Sequence, residues 1–368
     1  MYVNRRHMLS LAAAGATLPL FARLAWAEDT EAPMLDGRKI ITKRYKYFED
    51  AGELAPAIGG TWVEAAGCPA MVQEIYPTLH EGEIWVAGGF AGAEKRLSIT
   101  DRVFVYSPKA NSWREGPKLP ANRHHISLAS AGGKLYAIGG HHFADSKWWR
   151  MQASVWVLDG GEWREGPTLP QPQAEMVTLV DGDHIHIMGG RRLISDGENE
   201  KRNHHEDVAA HLILDTASGT WTEAAPVPVA RNSAAGDIID GKFHIVGGRQ
   251  GTKNLTFHGV YDPKTDKWET RAPVPQGQAG WAAAAVGRKL YAFGGEIFKQ
   301  RSRVFHEGWM YDADQDKWFR LPDMPTPRHG HGAIAIDGNI HILGGAKVVG
   351  GRKRTDLQEI FVPERTGS

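Results

Sequence analysis

Short apolar runs recur along the chain from about residue 60, and six of them end in a Gly-Gly doublet, at 88–89, 139–140, 189–190, 247–248, 294–295 and 344–345. The doublets are spaced by 51, 50, 58, 47 and 50 residues. Trp62, Trp113, Trp163, Trp221, Trp268 and Trp318 follow the same series of intervals. Two independent markers sharing one irregular rhythm define a repeat unit of about 50 residues. Each unit reads as four strands. A proline-bearing turn leads into a first apolar strand, such as 126–130 or 333–336. Gly132-Gly133, Asp181-Gly182, Asp240-Gly241 and Asp337-Gly338 supply the positive φ angles of a tight hairpin. The second strand runs into the doublet, as in KLYAIGG at 134–140 and KLYAFGG at 289–295. A variable loop then leads to a third strand, such as 103–106 or 259–261. A turn such as DPKTDKW at 262–268 leads to the fourth strand, which carries the tryptophan.

The way the ring closes follows from the ends of the pattern. Trp62 precedes the first doublet and has no earlier strands of its own. The last doublet is followed by a third strand at 357–362 but by no tryptophan. Pairing the segment 60–66 with 357–362 completes the last unit and removes two free sheet edges. Over residues 60–362 the sequence resembles the kelch family, with Leu158-Asp159-Gly160 and Leu214-Asp215-Thr216 replacing the Tyr-Asp-Pro step. The expectation is an all-β, six-bladed kelch propeller with four antiparallel strands per blade, occupying 59–363. Residues 28–58 are expected to be an approach segment, with the run KRYKYF at 43–48 solvated, and 364–368 a tail.

The first 27 residues carry Arg5-Arg6, an Ala- and Leu-rich stretch and Ala25-Trp26-Ala27. They resemble a twin-arginine export signal, which implies a periplasmic or extracellular protein with no membrane insertion after cleavage. The chain has 43 Lys and Arg against 43 Asp and Glu, a formal net charge of zero. That balance argues against a basic nucleic-acid binder, so no nucleic-acid partner is expected. A single cysteine, Cys68, excludes a disulfide framework and a cysteine-built zinc cluster.

Loops that lead into first strands share a face with loops that follow the doublets. The third residue after each turn proline is Val72, Arg123, Gln173, Arg231, Gln278 or Arg328. The fifth is Glu74, His125, Glu175, Ser233, Gly280 or Gly330. The residue after each doublet is Phe90, His141, Arg191, Arg249, Glu296 or Ala346. These three series are expected to ring the axial mouth. Candidate ligand-binding residues are Arg123, His125, His141, Arg191, Arg231, Arg249, Trp281, Arg328 and His331, because Arg forks suit carboxylate or phosphate. His124, His125, His141 and His142 are candidate ligands for a divalent metal. His186, His244 and His341 replace Tyr136 and Tyr291 and are expected to pack between blades.

Three functions stay open. One is a binding protein for a sugar, a sugar acid or a protein partner. Another is an isomerase similar to kelch-type N-acetylneuraminate mutarotases, in which Glu175 and Glu296 would handle protons. The third is a metal-dependent protein built on the His-rich loops. Asn203, Asp207 and His211 also resemble the iron-binding E-x3-D-x3-H pattern of plant specifier-type kelch proteins, with Asn203 in place of the acid.

Overall fold

The computed structural model describes residues 33–42, 57–92, 97–145, 147–195, 197–298 and 302–364. Six four-stranded antiparallel sheets are arranged as blades, each ordered first to fourth strand from the axis outward. Blade 1 comprises Thr78–His80, Glu83–Ala87, Val103–Ser107 and Ser112–Gly116. Blades 2 to 5 repeat this order, starting at Ser127–Ala131, Val177–Asp181, Ala235–Ile239 and Ala282–Val286. Blade 6 takes Gly332–Ile336, Asn339–Leu343 and Gln358–Pro363 from the C-terminal part of the chain, and Gly60–Glu64 as its outer strand. Trp62 pairs with Phe361 in that last register, so the N-terminal strand completes the last blade as the sequence predicts.

The repeat markers have distinct physical jobs. The amide of the second doublet glycine donates to the carbonyl of the next blade, three residues past its turn proline. Gly89 bonds Arg123 at 2.7 Å, Gly190 bonds Arg231 at 2.7 Å, and Gly345 closes the circle on Val72 at 2.8 Å. Both doublet glycines have positive φ, and a Cβ on either would press on the carbonyl it faces. The outer-strand tryptophans staple blades from outside. The indole N–H groups of Trp113, Trp163, Trp221, Trp268 and Trp318 donate at 2.8–2.9 Å to Ala66, Pro117, Pro167, Ala225 and Ala272 of the preceding blade. Trp62 is different: its indole nitrogen is buried without a partner among the described residues, and its ring packs on Phe293 and Phe361. The acidic turn also crosses between blades. Asp266 accepts from the hydroxyl of Tyr261 and the amide of Ala225, and Asp316 does the same for Tyr311 and Ala272.

The expected blade-packing histidines are buried in pairs. His186 Nδ1 lies 2.9 Å from His211 Nε2, and His244 Nδ1 lies 2.9 Å from His258 Nε2. In blade 6 the amide of Gln358 takes the partner's place beside His341.

Two features differ from the sequence expectation. The variable loops between second and third strands of blades 1 to 5 are themselves two-stranded hairpins, such as His141–Ala144 with Lys147–Met151. All five rise on the face that carries the loops into the first strands, because each starts directly after a doublet. In addition, Met34–Leu35 and Arg38–Lys39 form a small hairpin, and Ile40 bridges Val63 on the outer strand of blade 6. The expected signal peptide at 1–27 and the run at 43–48 lie outside the described residues. No helix among the described residues is long and apolar enough to cross a membrane.

Candidate functional site

The site is built on one backbone device repeated six times. The fifth residue past each turn proline has a positive φ: 56° at Glu74, 53° at His125, 58° at Glu175, 51° at Ser233, 64° at Gly280 and 59° at Gly330. Four of these are not glycine, and a left-handed residue with a side chain costs of order 1 kcal/mol or more. The ring repays this with bonds around the axis. Glu74 N donates to Gly330 O at 2.7 Å, His125 N to Glu74 O at 3.1 Å and Ser233 N to Glu175 O at 3.1 Å. Gly280 N then bonds Ser233 O at 2.9 Å and Gly330 N bonds Gly280 O at 2.8 Å. The fourth residue past each proline bridges the residue after its own doublet, as in His124 with His141 and Asn232 with Arg249. Blade lead-ins and hairpins are thereby locked side by side at the mouth.

Side chains above this ring form a nearly continuous polar circuit. Glu74 lies 3.1 Å from His125 Nε2 and 3.8 Å from His329 Nδ1. His329 lies 3.3 Å from Glu296, which pairs with Arg249 at 3.3 Å and accepts from Gly350 N at 3.1 Å. Arg249 donates to Ser233, and the Ser233 hydroxyl donates to Glu175 Oε2 at 2.9 Å. On the other side, Arg191 pairs with Asp207 at 3.2 Å and donates to His205 O at 2.6 Å. Burial opposes charge on Glu175, but His125, Arg202, Arg191 and Arg249 outweigh it and hold the carboxyl at about 2. Burial likewise opposes ionisation of Glu74, and the imidazoles of His125 and His329 override it, holding the group well below the ordinary carboxylate range. Among the described residues, Glu175 Oε1, both ring nitrogens of His141, His205 Nδ1 and Arg191 Nη1 are buried without a hydrogen-bond partner.

The expected residues divide into those at the mouth and those elsewhere. His125, His141, Arg191, Arg249, Glu175 and Glu296 meet there, with His124 beside them. Arg123, Arg231 and Arg328 do not reach it. Strict alternation would aim the third and fifth positions the same way, but the left-handed fifth residue breaks that alternation. Arg231 instead donates to Gly247 O at 3.2 Å, and Arg328 donates to Gly344 O at 2.9 Å and pairs with Glu359 at 2.7 Å. Arg123 donates to Asn122 O and Ser154 and lies over Trp156. Burial lowers Arg123 and Arg231 to about 10, which leaves them charged at neutral pH. Trp281 and His331 lie one step below the ring. They help line an axial cavity of about 100 Å³ that includes Ile75, Tyr76 and Met176. His142 faces away from His141 because the two alternate on a strand, and its Nδ1 lies 3.1 Å from Asn122 O. Asp207 and His211 share no site, since His211 bonds His186 inside blade 3.

His124 and His125 would diverge on a strand in the same way, yet the left-handed His125 brings both rings to one side. Their Nδ1 atoms lie 2.5 Å apart, and one ligand nitrogen each from His124, His125 and His141 fall within 4.8 Å of one another. His205 stands beside them, its ring 5.3 Å from that of His141.

One residue at the mouth was not singled out from the sequence. Arg202, in the long hairpin loop of blade 3, lies between the rings of Trp149 (5.6 Å) and Phe298 (5.7 Å). Among the described residues it pairs with no carboxylate. Its only sequence signal is its place in the longest inter-strand loop, two residues before His204-His205.

Comparison with known proteins gives a consistent picture. The family described as Kelch motif matches residues 78–120 and 122–170, and the KLHDC2/KLHL20/DRC7 Kelch-repeats domain matches 167–345. Kelch-like protein terF of Aspergillus terreus is 30% identical over 300 residues, covering 79% of this chain and 64% of terF. Kelch-like protein 35 of Mus musculus is 28% identical over 244 residues, covering 66% of this chain and 38% of the relative. Kelch-like protein 23 of Homo sapiens is 21% identical over 281 residues, covering 75% and 46%. The chain therefore spans less than two thirds of the length of each of these curated relatives.

Proposed function

The chain is a six-bladed kelch-repeat propeller, a fold that typically serves as a protein-interaction scaffold, and we propose that it acts as an exported binding protein whose hairpin-bearing face recognises a ligand with an acidic group, sugar acids among them. One observation carries this reading. Arg202 holds a half-buried guanidinium between two aromatic rings at the mouth, with no carboxylate partner among the described residues. A planar fork with free N–H donors suits a carboxylate, and flanking rings suit the apolar face of a sugar. Arg191 Nη1, buried without a partner among the described residues, adds a second donor nearby.

A second reading, isomerisation of a sugar acid, has support at one carboxylate. Among the described residues Glu175 keeps Oε1 without a partner, while Glu296 is engaged by Arg249, His329 and Gly350. Glu175, ionised at neutral pH, would then be the proton acceptor, and Glu296 would hold the mouth together.

Calorimetric titration tests the binding reading. N-acetylneuraminate and glucuronate are compared with N-acetylmannosamine and glucose. The acids are expected to bind and the neutral sugars not. Arg202→Met is expected to weaken binding by about tenfold or more, as loss of a charged hydrogen bond does, with the melting temperature unchanged. Equal binding of neutral and acidic sugars, or full affinity in Arg202→Met, refutes it.

A further inference from the structure

We infer that His124, His125 and His141 form a three-histidine site for a divalent late transition metal at the axial mouth. This inference is independent of the acidic-ligand reading, because it rests on a different set of side chains.

The far nitrogens decide which atoms are free to coordinate. His124 Nε2 lies 2.7 Å from the carbonyl oxygen of Trp148, which can only accept, so that nitrogen carries the proton and Nδ1 holds the lone pair. His125 Nε2 faces the Glu74 carboxylate at 3.1 Å, which fixes the same tautomer there. A carbonyl or carboxylate behind the imidazole is the arrangement that orients metal-bound histidines. The two Nδ1 atoms then face each other across 2.5 Å, a gap that a shared proton fills in the closed arrangement and that a metal ion can enter in its place once the rings spread. His141 is fully buried, stacks on His124 at 4.9 Å, and has no hydrogen-bond partner at either nitrogen among the described residues. Leaving a buried polar atom unpaired costs about 1–3 kcal/mol, which a coordinate bond would remove.

The backbone accounts for the convergence. His124 and His141 exchange two main-chain bonds, at 3.0 and 2.8 Å, which sets their rings side by side. The left-handed φ of His125 turns the third ring into the same space. Metal–nitrogen bonds of about 2.0–2.1 Å in tetrahedral geometry put ligand nitrogens roughly 3.3 Å apart. Binding therefore requires His124 and His125 to spread by about 1 Å, and the widest-spaced nitrogens of the trio, within 4.8 Å, to close by up to about 1.5 Å. A set of three neutral imidazoles without thiolate selects Zn²⁺, Co²⁺, Ni²⁺ or Cu²⁺ over Mg²⁺ or Ca²⁺. The fourth position remains for solvent or ligand, with His205 the nearest further imidazole.

The full chain, purified without a polyhistidine tag and stripped with chelator, is incubated with Co²⁺ or Zn²⁺ and desalted. Elemental analysis is expected to find one ion per chain, and the Co²⁺ form to show visible absorption of a four- or five-coordinate nitrogen site. His141→Ala is expected to lose the bound ion and the absorption, and His142→Ala to keep both. Glu74→Gln, which removes the charge behind His125 and also changes the contacts with His329 and Gln73, is expected to weaken binding by about 10–100-fold. Circular dichroism separates lost metal from lost fold. Wild-type protein that retains no ion overturns the inference, as does an unchanged ion and spectrum in folded His141→Ala. The wild-type Co²⁺ spectrum decides the matter even if a variant fails to fold.

Discussion

The amide nitrogen of Gly345 lies 2.8 Å from the carbonyl oxygen of Val72, and this bond joins the last blade to the first. It is the sixth copy of a contact that runs around the axis, and it holds the lead-in segment that carries Glu74 to the mouth. Blade cohesion and the geometry of the candidate site thus share the same glycine doublets.

Gly345→Ala should be costly. Its φ is 92°, and an added Cβ would sit 2.8 Å from the His329 carbonyl oxygen. Strain and the close approach together predict a loss of roughly 3 kcal/mol. Gly37 also has a positive φ, 71°, but open space around it, so Gly37→Ala should cost about 1 kcal/mol. Denaturant unfolding of the two variants checks the difference.

The indole nitrogens give a matched pair of tests. Trp318 donates to Ala272 O at 2.8 Å, whereas Trp62 has no indole partner among the described residues. Both rings are buried, 7% and 5% exposed, so replacement by Phe vacates a similar volume in each. Trp318→Phe should therefore cost about 1 kcal/mol more than Trp62→Phe, the net worth of one hydrogen bond.

Acid should weaken the fold through the blade histidines. Burial lowers His186 and His258 to about 3, and His211 and His244 to about 4, from an ordinary 6.5. Below 6.5 the unfolded chain takes up protons that the folded chain refuses, so stability falls as pH drops from 6.5 toward 4 and levels off below the folded values. The pairing geometry explains the refusal. His258 Nδ1 faces Ala272 O, which leaves Nε2 to accept from His244, and a second proton would set two donors face to face. His258→Gln copies the arrangement of Gln358 with His341 and should flatten the slope of stability against pH in that window. Urea unfolding at a series of pH values measures it.

Removing one partner of a buried ion pair should exceed all of these. Arg328 and Glu359 pair at 2.7 Å, and their side chains are 0% and 5% exposed. Arg328→Met strands a buried carboxylate at a cost of about 3–5 kcal/mol. The double variant with Glu359→Gln should recover part of that loss, which a double-mutant cycle in denaturant quantifies.

The fold was legible because its markers are constraints on backbone and packing. A doublet that must avoid a carbonyl can only be glycine, and the outer-strand tryptophan fills the same place in every blade, its indole N–H tying five of the six to the preceding blade, so both recur in register. The mouth was legible in part. The fifth positions were identified as a ring, but their left-handed conformation had no sequence signal at Glu74, His125 or Glu175, where no glycine marks it. Counting positions past each turn proline therefore placed Arg123, Arg231 and Arg328 at the opening and could not separate His124-His125, which converge, from His141-His142, which diverge. Arg202 went unrecognised because nothing in an irregular loop tells which side chain returns to the axis.

Anomalous diffraction from a crystal of the cobalt-loaded protein tests most directly whether the mouth is a built chemical centre. The account predicts one strong peak, about 2 Å from Nδ1 of His124, Nδ1 of His125 and one ring nitrogen of His141. No peak at the axis, or cobalt bound only at surface histidines, would contradict it and leave these side chains as packing that closes the propeller.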